Sequence, residues 1–218
     1  MKRKNHIRRK TDIFLSGLLV LSFAGCAAFS ALEDAEKTYF SVLSGEAPLL
    51  YTEEGEEVSL DLDRVPAVFS RESDYSSIWR FTAVDLDGDG ETEVLLQVID
   101  VAGDMGGYMI LHREAEEVYG YSASYRDFED LKTDGTYSCT HPAGTAVSVC
   151  RSCFDGGSCL TEPLICSSTE NGWETAAYFI KGQPASEEEY LAAIERQAAK
   201  PDAVWRPFDE KNIREMFA

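Results

Sequence analysis

The sequence predicts an α+β domain: an antiparallel, meander-like β-sheet flanked by an N-terminal helix and one or two C-terminal helices. Three observations predict it. Between Pro48 and Tyr178, short runs rich in Val, Ile, Leu, Tyr and Thr are punctuated by Asp, Gly, Asn and Pro, the pattern of consecutive strands and turns. Ahead of them Leu32, Ala35, Tyr39, Val42 and Leu43 recur at helical spacing, with Gly45 as a stop. Behind them Ser186-Glu187-Glu188-Glu189 reads as a capping box opening a helix.

The elements follow in order. The first helix spans Leu32 to Leu43, and its buried stripe needs a sheet to lie on. Candidate strands are Val58 to Leu62, Ile78 to Val84, Glu93 to Val101, Tyr108 to Arg113 and Glu117 to Ala123. They continue with Gly135 to Cys139, Ala146 to Cys153, Cys159 to Cys166 and Trp173 to Ile180. Asp134-Gly135, Asp155-Gly156-Gly157 and Asn171-Gly172 mark turns. Strands joined by tight turns pair antiparallel, because a parallel neighbour needs a long crossover. After Ser186, residues Tyr190, Leu191, Ile194 and Ala198 form an apolar helix face that Pro201 ends. A last short helix runs from Asp209 to Phe217, and Trp205 and Phe208 are expected to pack on the sheet.

The N-terminus decides which residues belong to this domain. Lys2, Arg3, Lys4, Arg8, Arg9 and Lys10 precede the apolar run Ile13 to Ala24, the layout of a secretory signal peptide. Gly25-Cys26-Ala27-Ala28 follows, with Phe23 three residues before the cysteine. This resembles the lipobox of bacterial lipoproteins, which implies that Cys26 is acylated, with palmitate-type chains, as the first mature residue. Two alternatives are cleavage after Ala27 or Ala28, and an uncleaved span of about 20 residues. Each places the rest of the chain outside the cytoplasm. The organisation expected is a signal peptide with lipobox over 1–25, a lipid-anchored tether over 26–31, and one domain over 32–218.

Charge narrows the partners. The chain has 20 basic and 39 acidic residues, and removing residues 1–25 leaves 14 against 38, a balance of −24. So negative a surface argues against nucleic acid and against adhesion to anionic lipid, which need a positive patch. A hydrophobic fraction of 44% with 11% aromatics marks a folded chain.

One motif carries chemistry. Asp85-Leu86-Asp87-Gly88-Asp89-Gly90-Glu91-Thr92-Glu93 has carboxylates at its first, third and fifth positions. Such a loop suits a hard, oxygen-seeking cation, with a glycine taking the bend. The Glu91 carbonyl and the Glu93 carboxylate complete the expected shell, and calcium suits a flexible all-protein loop better than magnesium. A polar hairpin turn is the plainer reading, but it has no need of so many mutually repelling carboxylates. An EF-hand needs a glutamate where Leu96 stands, and helices where these flanks read as strands.

The loop is similar to the shorter, strand-flanked calcium loop of FG-GAP and VCBS repeats. With Trp79 to Val84 before it and Val94 to Val98 after it, the unit resembles those of uncharacterised surface lipoproteins from Gram-positive gut bacteria. The likeness continues through Gly107 to His112, Phe128 to Gly135 and Ser186 to Tyr190. It implies calcium and a cell-surface location, and no assigned activity.

The remaining cysteines are Cys139, Cys150, Cys153, Cys159 and Cys166. Centring the turn on Gly156 sets Cys153 opposite Cys159, so a disulfide between them is one outcome; unlinked thiols and a metal site are the others. Catalytic signatures are thin. His112, read as a strand-end surface residue, and His141 are the histidines of the mature chain, and no nucleophile elbow, HExxH or phosphate loop occurs. The function expected is a membrane-anchored, extracytoplasmic lipoprotein with a structural calcium site. It would act as a non-enzymatic module binding a surface ligand, glycan or protein. The alternatives are a structural cell-envelope accessory protein and a hydrolase whose acidic residues converge only in three dimensions. A groove lined by Trp79, Trp173 or tyrosines would favour a glycan.

Overall fold

The computed structural model describes residues 35–53, 56–69, 76–100, 102–140, 147–155, 157–170 and 174–217. The expected signal peptide, Cys26, His141 and Trp173 lie outside them. The fold is α+β. Helix α1 (35–43) is followed by the hairpin β1 (Leu49–Glu53) and β2 (Glu56–Leu60), then a 3₁₀ turn and short helix α2 (Val65–Val68). Four strands then run as a meander: β3 (Ser77–Val84), β4 (Glu93–Ile99), β5 (Met105–Glu114) and β6 (Glu117–Ser124). A second meander comprises β7 (Tyr137–Thr140), β8 (Val147–Asp155), β9 (Ser158–Glu170), β10 (Glu174–Ile180) and β11 (Gln183–Ala185). Helix α3 (Glu187–Ala198), the two-residue strand β12 (Arg206–Pro207) and helix α4 (Glu210–Phe217) close the chain.

The expected meander is therefore split into two sheets. The first has the order β12-β3-β4-β5-β6-β1-β2, the second β11-β10-β9-β8-β7. One pairing departs from the all-antiparallel expectation: β1 lies parallel to β6, with Leu50 beside Tyr119. The tight-turn rule does not govern this pair, because β1 and β6 are neighbours in space and not in sequence. The segment between β6 and β7 accounts for the split. It buries Phe128 and Leu131 between the sheets, where a hairpin would have extended the first sheet.

Three layers result. On one face of the first sheet, Phe81, Leu96 and Met109 pack against Tyr39 and Val42 of α1, Val65 of α2, and Ile213 and Phe217 of α4. The Tyr39 and Phe217 rings meet at 5.9 Å. On the other face, Leu95, Tyr108 and Ile110 pack against Tyr137, Cys139 and Cys150 of the second sheet. This explains why β4 is buried from Glu93 to Val98 instead of alternating: a strand covered on both faces has no solvent side. The expected docking of the C-terminal aromatics holds. Phe208 meets Phe81 edge-on at 5.8 Å, and Trp205 lies 5.9 Å from Tyr108.

The capping box forms as read. Ser186 Oγ accepts from the Glu189 N–H, and the Glu189 carboxylate accepts from the Ser186 N–H. The Cys153–Cys159 disulfide does not form. Asp155 pairs with Ser158, so the turn holds two residues and Cys153 faces Leu160 while Cys159 faces Phe154. This one-residue slip from a turn centred on Gly156 sends the two sulfurs to opposite faces. Both are free thiols, as is Cys166, and the disulfide joins Cys139 to Cys150 across β7 and β8. That bond also removes Cys150 from any metal site.

Candidate metal centre

The β3–β4 loop is fixed at both ends and from beneath. Leu86, its second residue, is fully buried between the sheets, and its carbonyl accepts from the Ser152 N–H of β8 at 3.2 Å. The loop thus pairs with a part of β8 that the short β7 does not reach. Gly135 lies so close that a Cβ there would strike the Asp85 carbonyl, which explains the glycine of the Asp134-Gly135 turn. Gly88 takes the sharp bend at φ +84°, and the Arg151 guanidinium lies over it, with Nη1 only 2.7 Å from where a Cβ would stand.

Within this frame, Asp85, Asp87 and Asp89 converge. Each offers a carboxylate oxygen, and these oxygens lie within 4.8 Å of one another, so the group could hold a metal ion. That separation is the widest that two ligands of one calcium ion, each at about 2.4 Å, can have. Among the described residues it is the one such group of three or more His, Cys, Asp or Glu side chains. Asp85 caps the turn through the N–H groups of Gly88 (2.6 Å) and Gly90 (3.1 Å). Asp87 and Asp89 accept from the amides of Asp89 and Glu91. Burial pushes the Asp87 carboxyl above its usual range, and the charges of Asp89 and Asp85 add to that, while the Asp89 amide pulls it back. A cation at the focus would relieve that repulsion.

The side chains of Glu91 and Glu93 lie elsewhere. Glu91 forms an ion pair with Arg113 at 2.8 Å. Glu93 turns inward and is fully buried: its carboxylate accepts from the Leu86 N–H at 2.7 Å and from His112 Nδ1 at 3.1 Å. Three of the expected carboxylates thus converge, and Glu93 serves as the internal brace of the loop. Burial raises the Glu93 carboxyl, partly offset by the bonds from His112 and Leu86. Burial alone would lower His112, but the Glu93 bond and charge, with Glu114 and Asp87, outweigh it and leave the imidazole raised.

His112 was expected at the surface, yet it is 8% exposed and stacked on Phe154 at 3.9 Å. A usable signal existed: Val94 pairs with Leu111, so the next residue on each strand, Glu93 and His112, meet. Arg151 over Gly88 had no such signal, since it arrives from the other sheet. Trp79 is half exposed, with the Arg80 guanidinium 4.7 Å from its ring and from that of Trp205. No family model, curated protein or solved structure matches the chain. Among the described residues no helix is long and apolar enough to cross a membrane.

Proposed function

We propose that this chain is a membrane-anchored, extracytoplasmic lipoprotein whose β3–β4 loop binds calcium as a structural ion, and that it acts as a non-enzymatic binding module. The convergence of Asp85, Asp87 and Asp89 carries the calcium assignment. Flexible, oxygen-only loops of this kind suit calcium, and extracellular sites hold it at about 10⁻⁴ to 10⁻³ M. The ion's work would be to hold a loop that bridges to the second sheet, since Leu86 of the loop accepts from Ser152 of β8 and Gly135 lies against Asp85. Lipid attachment rests on the basic segment, the apolar run and Gly25-Cys26. The buried Cys139–Cys150 disulfide supports an oxidising compartment, where such bonds persist.

Thermal melts of the extracted protein in calcium and in chelator test the ion. At a free calcium ten times the dissociation constant, stabilisation should reach about 1.4 kcal/mol, a rise of about 3–6 °C for a domain of this size. Asp87→Asn should abolish the rise, and identical melts with and without the ion would remove the assignment. Intact mass of membrane-extracted protein tests the anchor. Loss of residues 1–25 together with acyl chains on Cys26 is expected; an unmodified N-terminus sinks it.

A further inference from the structure

On the helix-covered face of the first sheet, beside the acidic loop, a cleft of about 530 Å³ opens between the start of α1 and the end of α4. Ala35 of α1, Ala83 of β3 and Met216 of α4 give it an apolar lining, and all three are partly exposed. Asp89 to Thr92 of the β3–β4 loop line it as well. We propose that this cleft is the seat of the chain's own N-terminal tether, with Leu32 as the side chain that fills it.

The apolar stripe of the first helix leads there. Leu32, Ala35, Tyr39, Val42 and Leu43 share one face by their spacing. Tyr39, Val42 and Leu43 are buried in the helix-side core, and Ala35, one turn earlier, lines the cleft. Leu32, which lies outside the described residues, is the remaining member of the stripe. A helical path carries it onto the same face, about 4.5 Å further along the axis than Ala35.

Charge selects an apolar occupant. Arg113, the cationic side chain of the lining, is already matched, donating to the Glu91 carboxylate at 2.8 Å and to the Ala115 carbonyl at 2.6 Å. Glu36 and Asp89, both exposed in the lining, would repel an anion. Proximity then favours the tether over a free apolar molecule. Leu32 is held three residues from Ala35, so its effective concentration at the cleft is about millimolar. Resting on the lipid-anchor reading, the seat has a consequence for orientation. Cys26 stands six residues before Leu32, at most about 20 Å of extended chain. A seated Leu32 keeps the acidic loop at the anchored end of the domain, where a free leash would let it turn away.

A crosslinker tests the seat directly. The photoreactive amino acid p-benzoylphenylalanine replaces Leu32 in the full-length protein, which is extracted from membranes, irradiated in calcium buffer and digested for peptide mass spectrometry. Crosslinks within one chain, from position 32 to the peptide carrying Ala83 or to that carrying Met216, are expected. The same probe at position 33, turned by about 100° on a helix, should give several-fold less of them. Leu32→Asp should lower the melting temperature by several degrees. Met216→Glu, which places a charge in the cleft, should cut the crosslink yield several-fold; Ala35→Glu does the same duty if Met216→Glu fails to fold.

The seat is overturned if position 32 crosslinks only to lipid or detergent, or only to a second copy of the chain, or if position 33 reaches the same peptides equally well. An unchanged melting temperature in Leu32→Asp overturns it too. The crosslink is read without reference to acyl mass or to chelator. Its absence would therefore end the seat and leave the anchor and calcium readings standing, and an intact crosslink on an unacylated chain would end the anchor and keep the seat.

Discussion

The two faces of the first sheet are built on different principles. Toward the helices, β4 presents Val94, Leu96 and Val98, flanked by Phe81, Met109 and Leu111, an apolar surface closed by α1, α2 and α4. Toward the second sheet, the same strand presents Glu93, Leu95 and Gln97, and its neighbours add Thr82, Tyr108 and His112, all of them buried. Gln97 accepts from Arg80 Nε and donates to Tyr108 Oη at 3.5 Å, and Glu93 is braced by Leu86 and His112. One face is closed chiefly by apolar packing, with the Tyr39 hydroxyl donating to the Leu111 carbonyl. The other carries the disulfide and the anchor of the acidic loop, so the buried polar groups of the described residues gather at the junction of the sheets.

The largest expected effect lies on the apolar face. Phe81 is fully buried against Phe208 and Phe217, so Phe81→Ala should cost about 3–5 kcal/mol in urea unfolding. That loss should be the same with and without calcium, since the ring contacts of Phe81 are with Phe208 and Phe217. A loss that varied with calcium would break the contrast between the faces.

Next comes the disulfide on the other side. Replacing Cys139 and Cys150 by serine opens a loop of sequence separation 11 and should cost about 2–4 kcal/mol. Reductant should lower wild-type stability by a similar amount and leave the double variant unchanged. If reductant also destabilises the variant, another thiol pair matters and the register described for β8 and β9 is at fault.

The smallest effect is a slope. His112 is raised by Glu93, Glu114 and Asp87 against the opposing pull of burial, and Glu93 is raised by burial. In both cases the folded state holds its proton to higher pH than the unfolded chain. Stability from the imidazole is present in full below its unfolded pKa of about 6.5 and is lost as pH rises through the folded value. The Glu93 contribution runs the same way, beginning from its ordinary carboxyl range. Melting temperature in calcium-free buffer should therefore fall as pH climbs through neutrality, and His112→Asn should flatten that fall. An unchanged slope in the variant would show that self-repulsion of the acidic surface governs the trend instead.

Much of the fold was legible in the sequence because local rules decide it. Ser186 and Glu189 are three residues apart and need only each other, so the capping box could be read directly. The strands of the meander from β3 to β6 were likewise marked by their own runs of Val, Ile, Leu and Tyr. What escaped depends on neighbours far along the chain. Nothing near Leu50 signals that it will lie beside Tyr119, and nothing near Phe128 says that it will plug the gap between two sheets. The cysteine pairing turned on one residue of loop length, a quantity that Asp155-Gly156-Gly157 leaves open and the pleat then amplifies into opposite faces. In the acidic loop the spacing of Asp85, Asp87 and Asp89 was informative, because a loop that curls on itself brings alternate residues together. Glu93 was misjudged because it begins a strand, and the strand's direction decides which way it points.

The meeting of Tyr39 with Phe217 has a temporal meaning as well. The earliest described helix and the latest share one core, so a chain threaded N-terminus first through a narrow pore cannot complete that core until Phe217 has emerged. The intervening strands would spend the passage without their lid. Were the chain exported as proposed, such an arrangement would delay closure of that core until transit is over.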